Sequence, residues 1–149
     1  LEAKPVEQSF HMMLYRAFHA QRGALRPALS ELGLGTGQPK LLGYLHRNGP
    51  CGQRELADYC EVDPAAVCRM LDSLQKGGFI SRTPDKQDKR RDLITLTPDG
   101  ERAFKTWQLR CRTVEEQMLI GFTAQEQAQF ADYLGRAYRN LKAGKEGQA

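Results

Sequence analysis

A mainly α domain carrying one short β-hairpin is what the sequence predicts, on three observations. Apolar residues recur at three- and four-residue steps over most of the chain, and helix starts and stops punctuate it at short intervals. A single alternating run, Leu93-Ile94-Thr95-Leu96, follows a densely charged turn. That turn, Arg82 to Asp92, holds five basic and three acidic residues in eleven positions. This is more charge than a hairpin needs for solubility, and a tip rich in Arg and Lys can follow backbone phosphates into a groove.

Each element has its own local cause. From Val6 to about Leu32 the set Phe10, Met13, Leu14, Ala17, Phe18, Leu25 and Leu29 spaces out a long amphipathic helix, with Pro27 a candidate bend. Gly33, Gly35 and Gly37 interrupt it, and Pro39 suits the first turn of a second helix carrying Leu41, Leu42 and Leu45 to about Arg47. Asn48-Gly49-Pro50 stops that helix. A third covers Gln53 to Cys60 and buries Leu56 and Ala57, with Tyr59 a further core candidate. Asp63 as N-cap and Pro64 as first residue open a fourth, which Gly77-Gly78 closes, with a core stripe of Val67, Met70, Leu71 and Leu74. Phe79 to Arg82 and Leu93 to Leu96 form the two strands, Pro84 lying toward the turn where no ladder donor is required. Thr97-Pro98 leads into a long helix from about Asp99 to Ile120 that carries Ala103, Phe104, Trp107, Val114, Met118 and Leu119. After Gly121, Thr123 and Glu126 make a capping box for a last helix bearing Phe130, Tyr133, Leu134, Ala137, Tyr138 and Leu141. Lys142 to Ala149 reads as a frayed tail.

Length and composition set the bounds. With 149 residues the chain can bury one core. No apolar run approaches the ~20 residues of a membrane span, and Leu1-Glu2-Ala3-Lys4-Pro5 lacks the apolar stretch of a signal peptide, so a cytoplasmic protein is expected. The four cysteines, Cys51, Cys60, Cys68 and Cys111, lack paired close spacing and are expected as thiols. The net charge of +4 divides into +3 for residues 1–50, 0 for 51–97 and +1 for 98–149. The hairpin-bearing part is therefore neutral overall, and any attraction for a polyanion must come from how its charges are arranged.

Helix, helix, helix, helix, hairpin, helix, helix is the order of a winged helix-turn-helix with extra terminal helices. The residues resemble the MarR family of transcriptional regulators over nearly the whole chain. The most specific part is Asp88-Lys89-Arg90-Arg91-Asp92-Leu93-Ile94-Thr95-Leu96-Thr97, which is similar to the family's wing pattern of Asp, one residue, Arg, a short gap and a Leu-x-Leu-Thr ending. Glu55-Leu56-Ala57 and the exit Leu74…Gly77-Gly78-Phe79-Ile80-Ser81-Arg82 are similar as well. The resemblance implies one domain over residues 1–149, with dimerisation helices at about 6–32 and 122–143, a DNA-binding lobe at about 38–97 and a connecting helix at about 98–121. It implies a homodimer on double-stranded DNA, each protomer placing its fourth helix in a major groove and its wing in the adjacent minor groove. Arg90 would be the inserted side chain and Asp88 would hold it. A narrow minor groove concentrates negative potential and draws in a guanidinium without a base-specific pattern. The plainer reading is that Asp88 and Arg90 are a solvated pair worth under ~1 kcal/mol; flanking Lys86, Lys89 and Arg91 favour the DNA reading.

The fourth helix departs from the family. Ala65, Ala66 and Cys68 stand where similar proteins often carry Ser or Thr, which leaves Arg69 as the base reader, with Pro64 at the helix start and Ser73 farther along as further contact candidates. The alanines suit thymine methyl groups. Gln53 and Arg54 begin the third helix and are expected at phosphates, aided by the positive helix end; the alternative for Arg54 is solvation or a pair with Asp58.

The expected mode of action is a repressor released by a small molecule. His11, Tyr15 and His19 share a face of the first helix, and Tyr44, His46, Trp107 and Arg110 are candidates to approach it, together a pocket for an aromatic or phenolic acid. The competing reading makes the aromatics core and the histidines surface residues. His11 and His19 lie about 12 Å apart along a helix, too far to share one metal ion, so neither metal nor cofactor is expected. A redox-responsive regulator of the same fold is the alternative, built on Cys68, which sits near Arg69 and the positive end of its helix, conditions that lower a thiol pKa; an idle thiol is the plain reading of it. No catalytic constellation stands out, so an enzyme is not expected. A winged helix used only to bind protein also stands, although such a module has no need of Lys86, Lys89, Arg90 and Arg91 together.

Overall fold

The computed structural model describes residues 8–147. Among them six helices and one hairpin follow in the order α1 (Phe10–Leu32), α2 (Gln38–Asn48), α3 (Gln53–Cys60), α4 (Pro64–Lys76), β1 (Ile80–Pro84), β2 (Asp92–Leu96), α5 (Pro98–Met118) and α6 (Ala124–Glu146). No helix among the described residues is long and apolar enough to cross a membrane. The chain forms two compact units, residues 1–114 and 115–149.

In the first unit α2 is the centre. Leu41, Leu42 and Leu45 are buried with Leu56 of α3, Val67, Leu71 and Leu74 of α4, Ile80 and Ile94 of the hairpin and Phe104 of α5. Each of these helices buries one stripe, so the charged sides of α3 and α4 are left outward. α4 begins as its punctuation dictates: the Asp63 carboxylate accepts from the Ala66 amide at 3.2 Å, and Pro64 needs no donor there.

The strands are antiparallel and pair Ile80 with Leu96 through to Pro84 with Asp92. Both strands run longer toward the tip than alternation alone suggested, because the Asp85 amide donates to the Arg91 carbonyl at 3.0 Å and closes the loop beyond Pro84. Cys51 adds a third strip of ladder. Its amide donates to the Ile94 carbonyl at 3.1 Å and the Ile94 amide returns a bond at 2.8 Å, tying the residues before α3 to the hairpin.

Thr97 couples the hairpin to α5. Its hydroxyl donates to the Gly78 carbonyl at 2.6 Å and accepts from the Gly100 amide at 3.0 Å. Gly100 is packed so closely that a Cβ there would stand 2.1 Å from the Phe79 carbonyl oxygen.

Several boundaries differ from expectation. Val6 lies outside the described residues, as do Leu1-Glu2-Ala3-Lys4-Pro5; the first helix starts at Phe10, where the Ser9 hydroxyl caps the Met12 amide at 3.3 Å. α1 continues through Pro27, forgoing one backbone bond. α5 ends at Met118, short of Ile120, in turns leading to Gly121 at φ +84°. α6 continues past Lys142 to Glu146, where the sequence predicts a frayed tail from Lys142; Lys142 lies over the Tyr138 ring and Lys145 complements the helix end. Gln148 and Ala149 lie outside the described residues. Tyr59, a core candidate, is about half exposed, because Arg47 holds its hydroxyl at the surface at 2.7 Å.

Candidate nucleic-acid interface

Three elements of the first unit carry the residues expected at DNA. On α4, Pro64, Ala65, Cys68, Arg69 and Ser73 are exposed and Ala66 is half-buried. This outward placement follows from the stripe of Val67, Leu71 and Leu74, which fixes which side of the helix faces the core. On α3, Arg54 is exposed and Gln53 half-buried. The α3 start is capped by Gly52 with no side-chain acceptor, so its first-turn amides remain open. The pair between Arg54 and Asp58 is not among the ion pairs of the described residues, and Arg69 makes none either.

The wing is more ordered than a charged loop requires. Arg90 donates to one Asp88 oxygen from both its amide, at 3.1 Å, and its Nε, at 3.2 Å, while its side chain is 92% exposed. The backbone is thereby fixed and the end of the guanidinium is left free. Lys86 and Lys89 are exposed beside it. Arg91 behaves otherwise: its Nε donates to Asp85 at 3.0 Å. Asp85 is buried, and its other oxygen accepts from the Gln87 amide at 2.9 Å. The Gln87 amide, followed by Arg91, holds the Asp85 carboxyl below the usual carboxylate range. Asp85 escaped the sequence reading, although an Asp bonding the amide two residues on is a recognisable turn device.

Arg82 of β1 reaches Asp72 of α4 at 2.6 Å and so joins the wing to the helix that carries Arg69. Neither was singled out from sequence as a tie.

The residues expected to line a ligand pocket are divided. His11, Tyr15 and His19 are exposed on α1, with the Tyr15 and His19 rings stacked 5.6 Å apart. Tyr44 faces α3, where its hydroxyl donates to the Glu55 carboxylate in a short bond and its ring lies 4.5 Å from Tyr59. The Glu55 bond, together with burial, pushes the Tyr44 phenol up to about 12. His46 Nδ1 is 2.6 Å from Glu101 of α5, Trp107 packs on the core, and Arg110 pairs with Glu31 of α1 at 2.8 Å. No ring contact or hydrogen bond among the described residues joins the α1 trio to Tyr44, His46, Trp107 or Arg110.

Of the thiols, Cys68 is exposed and Cys111 half-buried, whereas Cys51 and Cys60 are buried. Burial pushes the Cys51 thiol up to about 11, with Glu55 and Cys60 adding to it, and raises Cys60 against the opposing charges of Lys40 and Arg47. No group of three or more metal-ligating side chains gathers among the described residues.

Comparison with known proteins places this arrangement. The MarR family model matches residues 36–91, from the start of α2 to the wing. The curated multiple antibiotic resistance protein MarR of Salmonella typhimurium is 36% identical over 88 residues, 59% of this chain and 61% of that protein. An uncharacterised HTH-type transcriptional regulator of Bacillus subtilis, YxaD, is 32% identical over 96 residues, 64% of this chain and 67% of its own length. Among solved structures, a mutant MarR from E. coli complexed with operator DNA superposes with a TM-score of 0.75 at 27% identity, covering 84% of this chain and 90% of that one.

Proposed function

The chain belongs to the MarR family of transcriptional regulators, and from that premise we propose that it is a cytoplasmic, sequence-specific regulator of double-stranded DNA. It acts as a homodimer and as a repressor released by a small molecule. The observation that carries the DNA reading is that three exposed cations sit on elements tied to one another. Arg54 follows the Cys51–Ile94 ladder, Arg69 stands on the helix held by Arg82, and Arg90 projects from a wing closed by Asp85 and Asp88. Arg69 reads a base edge, Arg54 and Gln53 meet phosphate, Arg90 enters a minor groove with Lys86 and Lys89 beside it, and Arg91 adds a further cation on the wing. Pro64, Ala65, Ala66, Cys68 and Ser73 supply the remaining major-groove surface. A neutral lobe suits this design, since the positive potential is concentrated at a few fixed points.

The test is binding to a mixed-sequence duplex as salt is raised. Each phosphate neutralised contributes about 0.9 to the slope of log affinity against log salt. A steep loss supports the reading, and no binding at low salt overturns it.

The effector reading rests on the stacked Tyr15 and His19 on α1, a ready platform for a flat aromatic acid, and on the Arg110–Glu31 tie between α5 and α1, which such an acid would compete for. Adding phenolic acids to the protein–DNA complex and measuring release tests it; release by none of them, with thermal stability unchanged, counts against it.

A further inference from the structure

Asp85 is out of place in an exposed, charged loop. Its side chain is only 11% exposed while its neighbours Lys86 and Gln87 are exposed, and its two oxygens do different work. One closes the turn by accepting from the Gln87 amide at 2.9 Å, and the other takes the Arg91 Nε at 3.0 Å. The Asp85 amide donating to the Arg91 carbonyl locks the same two residues through the backbone. Arg91 nevertheless stays 62% exposed, because only Nε is used. Its terminal Nη1 lies 3.6 Å from where a Cβ on Gly52 would stand, so the guanidinium lies over the residue that leads into α3. Arg90, next in sequence, is aimed from Asp88 at the tip instead.

Resting on the DNA reading above, we propose that Asp85 is a positioning residue that holds Arg91 over Gly52 as a backbone-phosphate contact, separate from the tip contact of Arg90. Holding Nε fixes the plane of the guanidinium and leaves its two terminal nitrogens to meet a phosphate in bidentate fashion. The side-chain entropy that a free arginine would lose on binding is already lost in the folded protein.

The experiment compares wild type, Asp85→Asn, Arg91→Ala and the double variant on a mixed-sequence duplex, with salt slope and thermal midpoint both recorded. Arg91→Ala should lower the slope by about two, one per protomer of a dimer, and weaken binding about thirtyfold at physiological salt. Asparagine keeps an oxygen for the Gln87 amide but turns a donor NH2 toward Arg91, so Asp85→Asn should approach the same loss with a small change in midpoint. In the Arg91→Ala background it should add nothing. Wild-type affinity in Asp85→Asn overturns the proposal, as does an undiminished further loss in the double variant. If Asp85→Asn fails to fold, Arg91→Lys decides the matter: lysine keeps the charge without the Nε donor and should bind well below wild type, whereas wild-type affinity overturns the proposal. A wild-type protein that binds no duplex at low salt instead removes the DNA reading itself, which the first arm reveals before any variant is compared.

Discussion

Arg82 of β1 donates to the Asp72 carboxylate of α4 at 2.6 Å, and the two ends of that bond live in different surroundings: the Arg82 side chain is 16% exposed and Asp72 66%. The Arg82 Nε is buried without a hydrogen-bond partner among the described residues, so Asp72 carries much of what compensates a nearly buried guanidinium. Removing an exposed carboxylate is ordinarily cheap, but here it orphans a buried charge. Asp72→Ala should cost about 1–3 kcal/mol and Asp72→Asn less, read as a lower urea midpoint at unchanged slope. A midpoint equal to wild type would show the tie to be idle.

Gly100 gives a sharper test of packing. A Cβ there would meet the Phe79 carbonyl oxygen at 2.1 Å and Leu96 Cδ1 at 2.7 Å, whereas a Cβ on Gly43 would meet the Phe104 ring at 3.0 Å. Backbone held by the Thr97–Gly78 bond cannot retreat as a ring can. Gly100→Ala should therefore cost about 3 kcal/mol or more and Gly43→Ala about 1 kcal/mol. Thermal midpoints in the reverse order would refute this account.

What the sequence made legible follows from how local each cause is. Asp63, Pro64 and the glycine pair Gly77-Gly78 mark α4 through backbone chemistry within one turn, and its outward residues then follow from periodicity alone. The wing strands were found through alternation, but their true length depends on the Asp85–Arg91 closure, an interaction across six residues that no period encodes. Tyr44 shows the limit most clearly. From sequence it is a candidate to approach the α1 trio; that Glu55 of α3 takes its hydroxyl is a choice made by tertiary packing. The bond from Arg91 Nε to Asp85 is of the same kind.

Arg90 and Arg69 should fail differently. With a side chain 92% exposed, Arg90→Ala should leave the thermal midpoint within about 1 °C, given the small effect of such surface changes, and should weaken binding to all duplexes alike while lowering the salt slope. Arg69→Ala should cost about 1–3 kcal/mol on the preferred site and far less on a scrambled one. Competition titrations with both duplexes separate the two, and a uniform loss for Arg69→Ala would reassign it to phosphate.

Alkaline pH should unfold the first unit in a way traceable to two side chains. Cys51 is raised from 9.0 to about 11 and Tyr44 from 10.0 to about 12, so both groups favour the neutral form in the folded state. For a raised acid the stability is fully present below the unfolded value and is lost as pH rises through the folded one. Urea midpoints should therefore fall from about pH 9 to 11 for the thiol and from about pH 10 to 12 for the phenol. Cys51→Ala should flatten the first interval and Tyr44→Phe the second; an unchanged profile in both would remove these groups as the cause. A thiol reagent at neutral pH should find Cys68 first and reach Cys51 and Cys60 only on unfolding, because they are buried.

Each of the two units leaves an apolar helix face uncovered, which the expected second copy would cover. α6 is a 23-residue helix with no buried residue, and Phe130, Tyr133, Leu134, Tyr138 and Leu141 are all exposed, Leu141 at 74%. In the first unit, Phe10 at 78%, with Leu14 and Phe18, leaves another apolar stripe open on α1. In proteins most helical stability comes from packing an apolar face rather than from propensity. Exposed apolar residues in periodic register along two long helices mark an association surface. The protein should therefore sediment as a dimer at micromolar concentration, with a thermal midpoint that rises with concentration. Leu134→Glu should shift the population toward monomer, lower the helical signal and remove the concentration dependence, while Gln129→Glu on the same helix should not. A wild-type monomer of full helicity at that concentration would show that these faces are stable uncovered.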